Sequence, residues 1–331
     1  MTRPENQVPP DAAEQASGGI GSPPPRSASQ PTLGAAGQAG RGKKASRQRP
    51  GNQVRLGPLD QESRGRGVVA VGWSSGIVLV VASLAGLGLF VWPLFVPAQV
   101  ASAGHLTDAP WAVAIILPVV VLLVFAQLSE GGLDAKAVAI LGVLSAVGAA
   151  LRPLGAGTGG IETVFFLIVL AGRVFGPGFG FALGCTSLFA SSLLTAGIGP
   201  WLPFQMLASA WIGLGAGLLP DHVIGHPLRG RGEIAMLAVY GVVAAYLFGA
   251  LMNLWFWPFA TGATMVETAA LAYVPGAPIG QNLRAFGAFT LVTSTGTWDT
   301  GRAITDAALI ILLGPSVLAA LRRTARRAHF A

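Results

Sequence analysis

Between Gly172 and Gly217 the chain reads GRVFGPGFGFALGCTSLFASSLLTAGIGPWLPFQMLASAWIGLGAG. Apolar residues run almost without interruption on both sides of the turn TAGIGPW, which predicts two membrane helices joined back to back. In the first, Gly180, Gly184, Ser187, Ser191 and Thr195 recur at spacings of three or four, so small and hydroxylated side chains share one face. Trp201, Gln205, Ser209, Gly213 and Gly217 do the same in the second, with Pro203 in its first turn where a missing N–H costs little. Faces of this kind let backbones approach closely in lipid, where packing rather than hydrophobic burial drives helix association.

A hydrocarbon core of about 30 Å needs about 20 apolar residues to cross it. Runs of that order lie at 68–95, 111–128, 136–152, 160–175, 177–196, 201–219, 233–258 and 300–321, which predicts an all-α, polytopic membrane bundle of eight spans. The segment Phe286 to Ser294 (FGAFTLVTS) is apolar but too short to cross, and is expected to be re-entrant or interfacial at the outer face, capping whatever lies between the helices.

Composition agrees with the pattern. The chain is 331 residues, 52% hydrophobic and 11% charged, with a mean hydropathy of +0.62, far from the soluble average. Its net charge of +7 does not point to nucleic acid, because the basic residues gather in the tails flanking the apolar part. Residues 1–66 are rich in Pro, Gly, Ser, Gln and Arg, carry no apolar periodicity and are expected to be a disordered cytoplasmic tail. The first apolar run begins near Val68, too far along for a secretory signal. Lys136, Arg173, Arg229, Arg231 and the Arg322, Arg323, Arg326, Arg327 tail fall on one side of an eight-span count, while loops 97–110, 197–200 and 259–281 carry no Lys or Arg. Both termini are therefore expected in the cytoplasm of a multi-pass cell-membrane protein, with Arg152 and Arg284 as the outward exceptions.

Candidate chemistry sits in the predicted outer half. Arg152 ends the third span and Glu162 begins the fourth across LGAGTGG. The two either neutralise each other or meet a polar ligand, the plainer alternative being a snorkelling Arg and a Glu facing a helix dipole. Tyr246, Gly249, Asn253 and Trp257 share a face of the seventh span. An amide such as Asn253 usually seeks a polar partner there, whereas Trp257 also suits an interface belt. The last helix opens with Trp298, Asp299, Arg302 and Asp306, so Arg302 can pair at i−3 or i+4. An outer mouth of Trp201, Trp257 and Trp298 with amides from Gln205 and Asn253 suits a ring with polar edges. No catalytic constellation, nucleotide-binding loop, metal cluster or cofactor motif is present in the sequence, and Cys185 stands alone as a small packing residue.

Residues 130–325 resemble the substrate-binding (S) components of energy-coupling factor (ECF) vitamin transporters, in an actinobacterial-like form. The resemblance rests on SEGGLDAKAVAILGVLSAVGAALRPLGAGTGGIETVFFLIVLAGRVFGPGFGFALG, GPWLPFQMLASAWIGLGAG and WDTGRAITDAALIILLGPSVLAALRR, the GPW.PFQML segment being the most specific. It implies a six-helix core at 131–331 that binds a vitamin near its outer face, a corrinoid such as cobalamin being the first expectation. It also implies docking on a membrane coupling subunit driven by two ATPases. Two transmembrane helices at 67–130 and the basic tail exceed that pattern. Docking in the family uses an A-x-x-x-A seam on the first core helix. Here Ala135, Ala139, Gly142, Ala146 and Ala150 offer one, with packing inside the bundle as the alternative. A membrane enzyme or lipid-handling protein is the competing function class.

Overall fold

The computed structural model describes residues 73–95, 105–130, 135–155, 158–223, 225–260 and 269–329. The proposed tail, residues 1–66, lies outside them, and so does the start of the first expected span. The described chain is mostly helical. It comprises α1 (Trp73–Val91), α2 (His105–Glu130), α3 (Ala135–Leu151), α4 (Phe165–Phe175), α5 (Pro177–Thr195), α6 (Leu202–Leu218), α7 (Arg231–Ala260), α8 (Ile279–Thr290) and α9 (Thr300–His329). A two-residue antiparallel hairpin pairs His222 with Pro227 and Val223 with His226.

Five described helical runs are long and apolar enough to cross a membrane: Gly76–Phe95, Ala135–Leu154, Pro177–Thr195, Arg231–Ala260 and Ile279–Ala328. Two of the expected elements take a different form among the described residues. The fourth run, 160–175, holds only the 11 residues of α4, about 16 Å of helix at 1.5 Å per residue. Its first residues are instead a turn, pinned where the Thr163 hydroxyl donates to the Leu151 carbonyl at 2.5 Å. The second correction concerns 286–294, which is neither a separate re-entrant piece nor a break. α8 continues through a π-helical stretch, Leu291–Asp299, directly into α9. There the Thr295 and Thr300 hydroxyls donate five residues back, to Thr290 O at 3.1 Å and Thr295 O at 2.6 Å, following the wider helix instead of ending it. An apolar count cannot distinguish a short run from one turn of a longer, locally widened helix.

At the centre, α4 is buried on every side from Phe165 to Gly172, as expected of a helix with no polar face. It packs with α5 and α6, around which α1, α2, α3, α7 and α9 are laid. The small-residue seam between α5 and α6 forms as its spacing predicts. A Cβ on Gly180 would run into the Gly213 carbonyl, one on Gly213 into the Gly180 carbonyl, and one on Gly184 into the Ser209 backbone. Ser187, assigned to the same face, turns to α3 instead, where a Cβ on Gly148 would meet its hydroxyl. Beside it Ser145 and Thr186 share a hydrogen bond of 2.6 Å.

α1 is part of this packing. The Trp211 indole N–H donates to Ser83 at 3.0 Å, and Phe90 stacks edge-on against Phe204 with centroids 5.0 Å apart. Past α1, the Pro93 carbonyl accepts a bond from the Tyr273 hydroxyl. Burial pushes that phenol above its usual pKa, so it stays a donor over the whole ordinary pH range.

One end of the bundle is tied by ions. Arg173, at the C-terminal end of α4, contacts Asp221 at 2.8 Å and Glu233 at 2.9 Å, and donates to the Leu219 carbonyl at 2.9 Å; Arg322 reaches the same Glu233 at 2.6 Å. Three helices and the segment after α6 are thereby joined at one carboxylate. A second ion network lies at the other end of α4.

Candidate functional site

The second network is built from chain segments remote in sequence. Arg302, in the first turn of α9, donates from Nε to Glu162 at 2.5 Å and from Nη1 to Asp299 at 3.0 Å. It also donates from Nη1 to the Ala245 carbonyl at 3.4 Å. Its guanidinium lies over the Phe248 ring at 4.9 Å and beside Phe165 at 5.8 Å. Aromatic faces attract a desolvated cation, so α4 and α7 both contribute to holding it. Of the two partners spacing allowed, Arg302 takes the one at i−3. Asp306, the i+4 alternative, is fully buried. Neither of its carboxyl oxygens reaches hydrogen-bond geometry with a described residue. The Phe166 amide in the first turn of α4 lies near it. α4 has no side-chain cap of its own, and a carboxyl there meets the positive end of the helix dipole.

Arg152 and Glu162 are 4.0 Å apart, an ion pair too long for a hydrogen bond, and Arg152 Nε has no hydrogen-bond partner among the described residues. The shorter contact of Arg152 is with Gln205, to whose Oε1 it donates at 3.2 Å. Gly160, just before Glu162, lies against the π-helical stretch: a Cβ on it, at its φ of +79°, would strike the Trp298 carbonyl.

Next to Arg302, α7, the end of α8 and the π-helical stretch line a partly open cavity of about 430 Å³. Its walls are Met252, Phe256, Phe289 and Trp298, and its polar groups come from Asn253, Thr293, Ser294, Asp299 and Arg302. Widening the helix between α8 and α9 brings Thr293, Ser294, Trp298 and Asp299 to one wall, and such irregular turns recur at functional sites. Two of the lining residues also carry a polar atom that is buried away from solvent and lacks a hydrogen-bond partner among the described residues: Asn253 Nδ2, a donor, and Asp299 Oδ2, an acceptor. Buried orphans of this kind each cost about 1 to 3 kcal/mol. A larger groove of about 680 Å³ between α2 and α5 is almost wholly apolar and carries no such pair.

No match is found for this chain among known protein families, curated proteins or solved structures.

Of the residues singled out by sequence, Asn253, Trp298, Asp299 and Arg302 meet on the cavity, and Glu162 stands behind Arg302. The three tryptophans do not form one mouth. Trp257 is fully buried, donates to Leu271 O at 2.7 Å and stacks on Tyr273 and Phe286. Trp201 lies outside the cavity, against Gly199. Gln205 and Arg152 bond each other one layer away. Met252, Phe256, Phe289, Thr293 and Ser294 were missed. Met252 and Phe256 look like ordinary apolar helix residues, and Phe289 and the hydroxyls read as part of a short interfacial run. Among the described residues no group of His, Cys, Asp and Glu could hold a metal ion.

Proposed function

We propose that the chain is the solute-binding membrane subunit of an energy-coupled importer of the ECF type, and that the α7–α9 cavity holds its solute. The observation that carries this reading is the cavity's make-up. Apolar and aromatic walls enclose a few directional groups, two of them buried without partners, on helices otherwise committed to packing. A volume of about 430 Å³ suits a small, vitamin-sized molecule. In this reading α3 to α7 and α9 form the six-helix core, and α1 and α2 are additions. The test is equilibrium binding by the purified chain with the ligand recovered unchanged. ATP-dependent uptake should appear only when the coupling subunit and two ATPases are added. Turnover by the chain alone would favour a membrane enzyme.

The docking surface in this proposal is the α3 strip. Ala135, Ala139, Gly142, Ala146 and Ala150 are all exposed, and a Cβ on Gly142 would meet nothing. That supports a seam for a partner helix over internal packing. Ala139→Trp or Ala146→Trp is therefore expected to leave solute affinity within about twofold while abolishing co-purification with the coupling subunit. Loss of folding instead would mean that the strip packs within the bundle.

We also place both termini in the cytoplasm and the cavity in the outer half of a cell membrane, on the loop charges. The one cysteine, Cys185, is buried, so labelling has a silent background. Gln281→Cys should react with an impermeant maleimide in intact cells, and His226→Cys only after permeabilisation. The reverse pattern would invert the topology.

A further inference from the structure

The end of the bundle tied by Glu233 is short of negative charge. Both carboxylates of its ion network are taken, Glu233 by Arg173 and Arg322, and Asp221 by Arg173. Arg229 and Arg231, which lead into α7, and Arg323, Arg326 and Arg327, at the end of α9, are all exposed and make no ion pair with a described residue. The Arg322–Glu233 contact of 2.6 Å fixes the end of α9 beside the first turn of α7. Arg326 lies one turn beyond Arg322 on the same face of α9, the face that meets the start of α7. The two groups of arginines are thus brought to one corner of the protein. Cations gathered in this way repel one another unless an anion lies among them.

The depth of the corner says which anion. From 302 to 321, α9 extends about 30 Å at 1.5 Å per residue, which matches a hydrocarbon core of about 30 Å. Ile304, Ile311, Leu312 and Leu313 are exposed along that length, Arg302 and Asp306 are buried, and the first exposed charge on the helix is Arg323. The arginines therefore stand at headgroup level, with apolar surface leading from them toward the bilayer centre. An acidic protein surface would match the charges and leave the apolar surface unused, whereas a phospholipid matches both. The exposed cations of the corner are all arginine, whose planar fork binds phosphate oxygens in pairs. We propose that this corner holds an anionic phospholipid, its headgroup among Arg229, Arg231, Arg323, Arg326 and Arg327 and its chains along Leu312 and Leu313. The lipid supplies the missing negative charge and fastens the end of α9 to the start of α7. It is held whatever solute the chain binds, and in whichever leaflet this end of the bundle lies.

The test is native mass spectrometry of the full chain released from nanodiscs holding equal parts of phosphatidylglycerol and phosphatidylcholine, with the retained lipids counted. Phosphatidylglycerol should be retained in preference to phosphatidylcholine by about tenfold or more. Replacing Arg323, Arg326 and Arg327 together with Gln should bring the two lipids close to parity. Arg284→Gln, at an exposed position of α8 near the opposite end of the bundle, should leave the preference as it is. Should the triple variant fold poorly, salt decides the matter on the parent chain, because screening weakens an exposed charge pairing and spares apolar contact. Raised salt should then release phosphatidylglycerol and leave phosphatidylcholine in place. Equal retention of the two lipids by the parent, a preference that survives the triple substitution, or one that is indifferent to salt overturns the proposal. So does displacement of phosphatidylglycerol by inorganic phosphate at constant ionic strength, which would make the corner a site for free phosphate.

Discussion

Replacing Arg302 with Met should destabilise the protein more than any other single side-chain change at the site. Arg302 is the partner of Asp299 and the short partner of Glu162, at 3.0 and 2.5 Å, and both carboxylates sit at the start of the core helices. Asp299 is left without an ion-pair partner among the described residues. Glu162 keeps only Arg152 at 4.0 Å. Removing one member of a buried ion pair strands the other, at a cost of about 3 to 5 kcal/mol. Methionine preserves most of the stem's volume against Phe165 and Phe248, so the loss reports charge rather than packing. Thermal unfolding followed by size-exclusion in detergent should show a sharp fall for Arg302→Met, and partial recovery in Arg302→Met with Asp299→Asn, where the stranded charge is gone. An equal fall in single and double variants would mean the network contributes through shape alone.

The second large effect is expected at the α5–α6 seam. Gly213→Val puts a branched side chain where the Gly180 backbone stands, and a Cβ on Gly172 would also reach the Gly213 carbonyl. Backbone cannot rotate away as a flexible side chain can, so α5 and α6 must separate. Overpacking of a filled core costs about 1 to 3 kcal/mol and more where the clash is with main chain. In lipid the separation also forfeits the close packing that holds such helices together. Gly142→Val, on the exposed strip of α3, is the control and should be nearly silent in the isolated chain. A folded, fully stable Gly213→Val protein would show that the seam is not what joins the central pair.

The seam could be read off the sequence because its requirement is local: small residues at three- and four-residue spacing define a face, and the structure puts that face against its counterpart. The cavity was only half visible. Asn253, Trp298, Asp299 and Arg302 are polar or aromatic residues in apolar helices and draw attention to themselves. Met252, Phe256 and Phe289 carry no such mark, since an apolar side chain on a cavity and one on a neighbouring helix look alike in a string. The pairing of Arg302 with Glu162 joins residues 140 apart in sequence, and no periodicity links them. The tryptophans were misplaced for a related reason. Trp257 and Trp298 both lie near helix ends, but Trp257 is drawn into the packing around Tyr273 by its bond to the Leu271 carbonyl. The continuity of α8 with α9 depended on a run of threonine hydroxyls bonding five residues back, which an expectation built on period 3.6 does not contain.

The account stands most directly on whether the α7–α9 cavity is the solute site. Asn253 and Gln205 are both membrane amides, but of the two only Asn253 lines the cavity, its side-chain nitrogen without a hydrogen-bond partner among the described residues, while Gln205 is engaged with Arg152. Calorimetric titration of the parent chain, Asn253→Leu and Gln205→Leu with whichever small solute the parent binds separates the two. The expected result is a loss of about tenfold to hundredfold for Asn253→Leu, the cost of burying one unpaired polar group in the complex, and little change for Gln205→Leu. Unaltered affinity in Asn253→Leu, with loss in Gln205→Leu, would contradict the account and move the site to the Arg152 side of the bundle.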